Sequence, residues 1–119
     1  AQACRDSGIA IMMGAPNIMR GGSHSGNVSA LELADLGLLD IVSSDYVPAA
    51  LLQSAFRLAK LWDDLPRAVQ TVTKAPARAA GLMDRGTLEA GMHADLLRIR
   101  PLRDIPVVRG VWSHGRQVG

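Results

Sequence analysis

The 119-residue chain predicts an α/β fold in two parts, a strand–helix alternation up to about residue 84 and a strand-rich tail beyond it. Three observations carry this reading. Short continuous apolar runs stand at IAIMMG, Ile9 to Gly14, and within GLLDIVSSD, Gly37 to Asp45. Each is followed by a stretch whose apolar residues recur at helical spacing, so the order is strand, loop, helix, strand, loop, helix. After Gly86, Gly and Pro separate short β-prone runs instead. The alternation argues for a right-handed parallel βα repeat, in either a doubly wound sheet or a (β/α)8 barrel. In both architectures chemistry sits at the carboxyl ends of the strands.

The opening AQACRDSG reads as the tail of a helix continuing from a longer protein, closed by Gly8. IAIMMG has the unbroken apolar character of a strand buried on both faces, as in parallel sheets. GAPNIMRGGSHSGN, Gly14 to Asn27, is predicted as one glycine-rich loop. A helix follows over Gly26 to Leu36, with Val28, Leu31, Leu33, Ala34 and Leu36 on its apolar face. Ser25 or Asn27 can cap it, and Gly37 suits its end. GLLDIVSSD supplies the second strand. Pro48 opens the next helix, which runs to about Leu61 on a stripe of Leu51, Leu52, Ala55, Phe56, Leu58 and Ala59. From Leu65 to about Ala80 a further helix carries Pro66 near its start, while Pro76 is expected to kink or restart it. Gly81 stops it. The part boundary falls near Asp84 to Gly86, and GTLEAGMHADLLRI and IPVVRGVWSHGRQV then read as antiparallel strands.

Composition narrows the class. Hydrophobic residues are 48% of the chain, yet its aromatic residues are Phe56, Trp62, Trp112 and Tyr46, so the core must be built from Ala, Leu, Val, Ile and Met. The net charge of +2 comes from scattered basic residues with no stacking aromatics between them, which gives nucleic-acid binding little support. Cys4 stands alone, so an intrachain disulfide and a cysteine-based zinc site are excluded, and a reduced cytoplasmic thiol is expected. No apolar run approaches the roughly 20 residues that span a bilayer, and no signal peptide is seen, so a cytoplasmic protein without membrane contact is expected.

Two segments carry chemistry. In RGGSHSGN, Gly21, Gly22 and Gly26 let backbone N–H groups approach an anion, and the helix that follows turns its positive end the same way. Arg20 offers a bidentate phosphate partner, Ser23 and Ser25 offer hydroxyls, and His24 can donate a hydrogen bond, ligate a metal or move a proton. A structural turn that needs its glycines explains the segment equally well, and the Arg and His in one short loop favour the anion site. The Lys and spacing of a Walker A loop are absent. Asp45 ends the second apolar run; at a strand end it can ligate a divalent metal and accept the proton of its water. By spacing alone, a cap for the helix opened by Pro48 is the better reading. His93 and His114, beside Gly91 and Gly115, read as surface or turn histidines.

VTKAPARAAGLMDRGTLEAGMHADLLRI, Val72 to Ile99, resembles the closing segment of amidohydrolase-superfamily enzymes. There the last barrel helix runs into a Gly-x-x-x-x-Gly-x-x-Ala-Asp-Leu stretch, fitted here by Gly86, Gly91, Ala94, Asp95 and Leu96. GAPNIMRGGSHSGNVSALELADLGLLDIVSSDYVP is similar to the phosphonate-catabolism branch of that superfamily, in the carbon–phosphorus lyase pathway. The resemblance covers nearly the whole chain but only the last third or so of such an enzyme, since a complete barrel takes about 250 residues. It implies that residues 1–84 are the last two βα units of a (β/α)8 metal-dependent hydrolase barrel, and residues 85–119 the C-terminal strands of a small β-sandwich. It further implies release of diphosphate from an α-D-ribose 1-alkylphosphonate 5-triphosphate. Asp45 would contact the divalent metal, zinc-like or manganese-like, and act as catalytic general base, while Arg20, Ser23, His24 and Ser25 would bind the substrate phosphates. The family's strand-one His-x-His pair and middle-strand ligands are absent from this sequence, so the isolated chain is expected to be inactive. Unpaired strand edges and apolar faces predict a homo-oligomer. The rivals are another amidohydrolase acting on a cyclic amide or amine, which has little use for an anion loop, and a noncatalytic phosphate-binding or interaction module.

Overall fold

A computed structural model describes residues 2–20, 30–103 and 105–119. In chain order the elements are α1 (Gln2–Asp6), β1 (Met12–Gly14), α2 (Ala15–Arg20), α3 (Ala30–Asp35), β2 (Ile41–Ser43), α4 (Ala50–Trp62), α5 (Leu65–Gln70), α6 (Lys74–Ala79), β3 (Leu96–Leu102), β4 (Ile105–Ser113) and β5 (Arg116–Gln117).

β1 and β2 pair in parallel, with Met12 opposite Ile41 and Gly14 opposite Ser43, so the predicted alternation yields a parallel pair. Both strands are shorter than their apolar runs. Pairing stops before Met12 because the Ile11 N–H donates to the Asp40 carboxylate at 2.8 Å rather than to a strand carbonyl. The expected burial on both faces holds for β2, where Ile41 and Val42 are buried, but not for β1. Ile11 and Met13 pack on the core while Met12, pointing the other way, is 60% exposed. β2 is the only hydrogen-bonded neighbour of β1 among the described residues, so one face of β1 has no cover.

The predicted glycine-rich loop is in part a helix: residues 15–20 leave β1 directly as α2. Pro16 sits in its first turn, where no N–H is needed, and Ala15 and Ile18 are fully buried. α3 buries Ala30, Leu33 and Ala34 and closes with Gly37 N–H to Ala34 O and Leu38 N–H to Leu33 O. Its expected caps, Ser25 and Asn27, lie outside the described residues. α4 buries Ala50, Ser54, Ala55 and Leu58 along one stripe.

The helix predicted from Leu65 to about Ala80 is two helices, restarted as Pro76 required. The Thr71 and Thr73 hydroxyls donate to Ala68 O at 2.7 Å and Val69 O at 2.8 Å, and Pro76 cannot donate to Val72 O. Restarting at Lys74 puts Pro76 in a first turn. The break also frees Thr71 O, which accepts the Val42 N–H of β2 at 3.0 Å.

The core lies between β1–β2 and the helices, built from Ala15, Ile18, Ala30, Leu33, Ala34, Leu38, Leu39, Val42, Ala50, Leu58 and Ala68. It is aliphatic, as composition predicted. Trp62 closes one side, its indole donating to Ala34 O at 2.9 Å beneath the Arg67 guanidinium at 3.9 Å. The tail forms the antiparallel sheet β3–β4–β5, with Leu96 opposite Trp112, Leu102 opposite Ile105 and a bulge between Arg98 and Ile99. Within its strands only Gly110 is buried, so the sheet encloses no side-chain core of its own among the described residues. No helix among the described residues is long and apolar enough to cross a membrane.

Candidate functional site at the strand ends

β1 and β2 end side by side at Gly14 and Ser43, and Asp45 follows two residues later. Asp45 adopts a left-handed backbone with φ of 53°, uncommon for a residue with a side chain though less costly for Asp than for most. Its carboxylate leans over the end of β1: a Cβ at Gly14 would stand 2.9 Å from Asp45 Oδ2 and 3.2 Å from Asp45 Cβ. A side chain at position 14 would push the carboxylate away from this place. The helix-cap alternative is not taken up, because the N-cap of α4 is Ala49, with no side-chain hydrogen bond. Asp45 is exposed and makes no hydrogen bond to a described residue.

The same edge receives the end of α2. Pro16 and Met19 of α2, Tyr46 and Val47 after β2, and Gln53 of α4 line a groove of about 310 Å³. The ends flanking residues 21–29 are both held: Asn17 Oδ1 accepts the Ala30 N–H at 3.2 Å, and the Arg57 guanidinium donates to Met19 O at 3.2 Å. Of the predicted phosphate-binding residues, Arg20 closes α2, whereas Ser23, His24 and Ser25 lie outside the described residues. Asn17 and Arg57 were not foreseen. Asn17 carries no signal once its segment is read as a loop, and Arg57 is one of two charges on α4, with Lys60.

Asp45 suits one position around a divalent cation. Among the described residues no group of three or more His, Cys, Asp or Glu side chains able to share an ion includes Asp45; the one such group is His93, Asp95 and His114, at the tail. The described part of this strand edge is therefore a single carboxylate beside a glycine, not a complete metal site.

At the opposite ends of the same strands, Asp40 accepts the Ile11 N–H at 2.8 Å and the Arg5 guanidinium at 2.9 Å, and Arg5 also reaches Gly37 O at 3.1 Å. Asp40 ties α1, β1 and the α3–β2 turn together.

In the tail, the residues of the Gly-Gly-Ala-Asp-Leu pattern have physical duties. Gly86 has φ of 99°, and a Cβ there would meet Lys74 Cα at 3.0 Å, so this glycine lets the chain cross against the start of α6. Asp95 Oδ1 accepts the His114 N–H at 2.9 Å, and Ala94 O accepts the Gly115 N–H at 2.8 Å, pinning the β4–β5 turn. The two tail histidines, read from sequence as separate turn residues, meet edge to face with ring centroids 4.9 Å apart. His93 Nε2 lies 2.8 Å from Asp84 Oδ2. Arg85, hydrogen-bonded to Asp84 at 3.0 Å, holds that carboxyl below the usual carboxylate range, and His93 adds to the effect.

A family model described as "Amidohydrolase family" matches residues 5–119. The chain is 52% identical, over 99% of its length, to the alpha-D-ribose 1-methylphosphonate 5-triphosphate diphosphatase of Escherichia coli (strain K12). It spans 32% of that relative's length. No solved structure matches it.

Proposed function

The chain belongs to the amidohydrolase family, and we propose that it is the closing part of a metal-dependent hydrolase that releases diphosphate from an α-D-ribose 1-alkylphosphonate 5-triphosphate in phosphonate catabolism. The carrying observation is the 52% identity, sustained over 99% of the chain, to a relative named for that reaction. On this reading β1 and β2 are strands seven and eight of a (β/α)8 barrel, residues 85–119 belong to the small β-sandwich, and the protein acts in the cytoplasm. The uncovered Met12 face of β1 supports it, since parallel strands are normally covered on both faces. The same face supports association with a second copy of the chain.

Asp45 is the general base. Its exposed carboxylate, raised over Gly14 at the strand end, takes the proton of the attacking water as oxygen adds to phosphorus and the bond to the departing diphosphate breaks. A bound divalent cation would lower the pKa of that water and offset charge on the phosphate oxygens. Asp45 would be one of its ligands, the others coming from outside the described residues. Arg20, Ser23, His24 and Ser25 would hold the triphosphate, with Asn17 and Arg57 fixing where their segment begins and ends. Because the described residues bring no complete metal site to the strand edge, the 119-residue chain is inactive by itself.

The test is diphosphate release from the ribose triphosphate by a protein carrying this chain on a complete barrel. Asp45→Asn should lower kcat by about 10²–10⁴-fold with folding intact. Unchanged turnover in that variant would sink the role of Asp45. Hydrolysis of a cyclic amide instead of the triphosphate would reassign the substrate, and metal-independent triphosphate binding unaffected by Asp45→Asn would make the segment a binding module.

A further inference from the structure

We propose that His93, Asp95 and His114 form a second cation site, distinct from the strand edge of Asp45, which staples the β4–β5 turn to the crossover that precedes β3. One donor atom from each residue falls within 4.8 Å of the others. Two imidazoles and a carboxylate, with no thiolate, are a donor set for a borderline divalent cation such as Zn2+, Co2+ or Ni2+, leaving a position for water.

The three residues are held from behind. His93 N–H donates to Asp84 O at 2.7 Å and its Nε2 meets Asp84 Oδ2 at 2.8 Å, which leaves Nδ1 for a cation. Ser113 Oγ lies 3.2 Å from His114 Nδ1, which leaves Nε2. The Asp95 carboxylate uses one oxygen on the His114 N–H and retains the other. A carboxylate on the far nitrogen of a ligating histidine, the place Asp84 takes at His93, is a usual way its ring is aimed. His114 also keeps a left-handed backbone, φ 53°, at the first position of a two-residue turn where Asn or Gly is the common choice.

Donors around a tetrahedral zinc stand about 3.4 Å apart at bond lengths near 2.1 Å. Binding therefore draws these side chains together by roughly an ångström and ties residue 93 to residue 114. The sheet needs such a tie, for none of its described strand side chains is buried. A bound metal is a standard substitute where a small unit lacks core.

The experiment titrates the 119-residue chain with Co2+ as spectroscopic probe and then with Zn2+ in competition. One equivalent should bind, and Zn2+ should raise the thermal midpoint. His93→Ala and His114→Ala should each weaken binding at least tenfold with the far-ultraviolet spectrum unchanged, and Asp84→Asn by about 10–100-fold. His114→Cys should keep Co2+ and add thiolate-to-metal absorption, which a merely disrupted turn would not produce. Absence of saturable binding, or binding that survives the double variant His93→Ala/His114→Ala, overturns the site. Binding abolished by Asp45→Asn would overturn it too, placing the ion at the strand edge without touching the proposed hydrolase function.

Discussion

Asp40 and Asp45 flank the same short strand, and the structure treats them in opposite ways. Asp40, at the amino end of β2, is engaged by the Ile11 N–H and by Arg5, and its backbone is unstrained. Asp45, at the carboxyl end, is exposed, left-handed at φ 53°, and placed over a glycine that leaves it room. The first carboxylate stabilises the fold and the second is held at a cost. A fold maintains an unfavourable residue only where surrounding packing over-determines it, and such positions concentrate where chemistry occurs.

Substitutions on the two residues separate these duties. The largest effect on stability is expected from Asp40→Ala, about 2–3 kcal/mol, because it strands the Ile11 amide and leaves Arg5 with Gly37 O alone. Urea unfolding of the chain measures it, and a loss below about 0.5 kcal/mol would remove the contrast. Gly14→Ala comes next, at about 0.5–1.5 kcal/mol, because its methyl group turns the exposed Asp45 carboxylate aside and crowds Asp45 Cβ, which would stand 3.2 Å away. In a complete enzyme that variant should also lose turnover, and a fully active Gly14→Ala protein would show that the carboxylate need not sit where it does. Asp45→Gly should stabilise the chain by up to about 1 kcal/mol, relief of the left-handed backbone outweighing the added freedom of glycine in the unfolded chain, and in a complete enzyme it should lower turnover as Asp45→Asn does. A destabilised Asp45→Gly would mean that the carboxylate has a structural duty after all. The smallest effect belongs to Asp84, whose carboxyl is held below the usual range mainly by Arg85. Its contribution is present at neutral pH and lost as pH falls through that lowered value. Because about half of each side chain is open to water, the loss should be slight and should fade in high salt, which acid titration at two ionic strengths would show.

Much of this arrangement was legible in the residues. The alternation of apolar runs and helical stripes yields the parallel pair, the aliphatic core and the restart before Pro76, because periodicity and proline act locally. The helix at Ala15–Arg20 was hidden behind Pro16 and the glycines that follow, although proline in a first turn is permitted. Asp45 was visible as a residue type at a strand end, but its backbone and its approach to Gly14 depend on two segments some thirty positions apart. The histidine cluster was hidden for a sharper reason. Counting outward from the β3–β4 turn, where Leu102 faces Ile105, places Leu96 opposite Val111, whereas the bulge between Arg98 and Ile99 moves its partner to Trp112. That one-residue shift sets Ala94 against His114 and brings His93 beside it, and its one local sign is Gly110, a glycine inside an apolar strand run whose effect on residues 93 and 114 shows only once the strands pair.

The hydrogen bond from the Val42 N–H to Thr71 O links β2 to the junction between α5 and α6. The strand that leads to Asp45 therefore cannot be released alone, since opening it breaks a bond to the helical break as well. In hydrogen exchange the Val42 amide should be lost together with those of the α5–α6 junction, in one cooperative opening. The residue assigned to chemistry is thus expected to ride on a unit that opens as a whole.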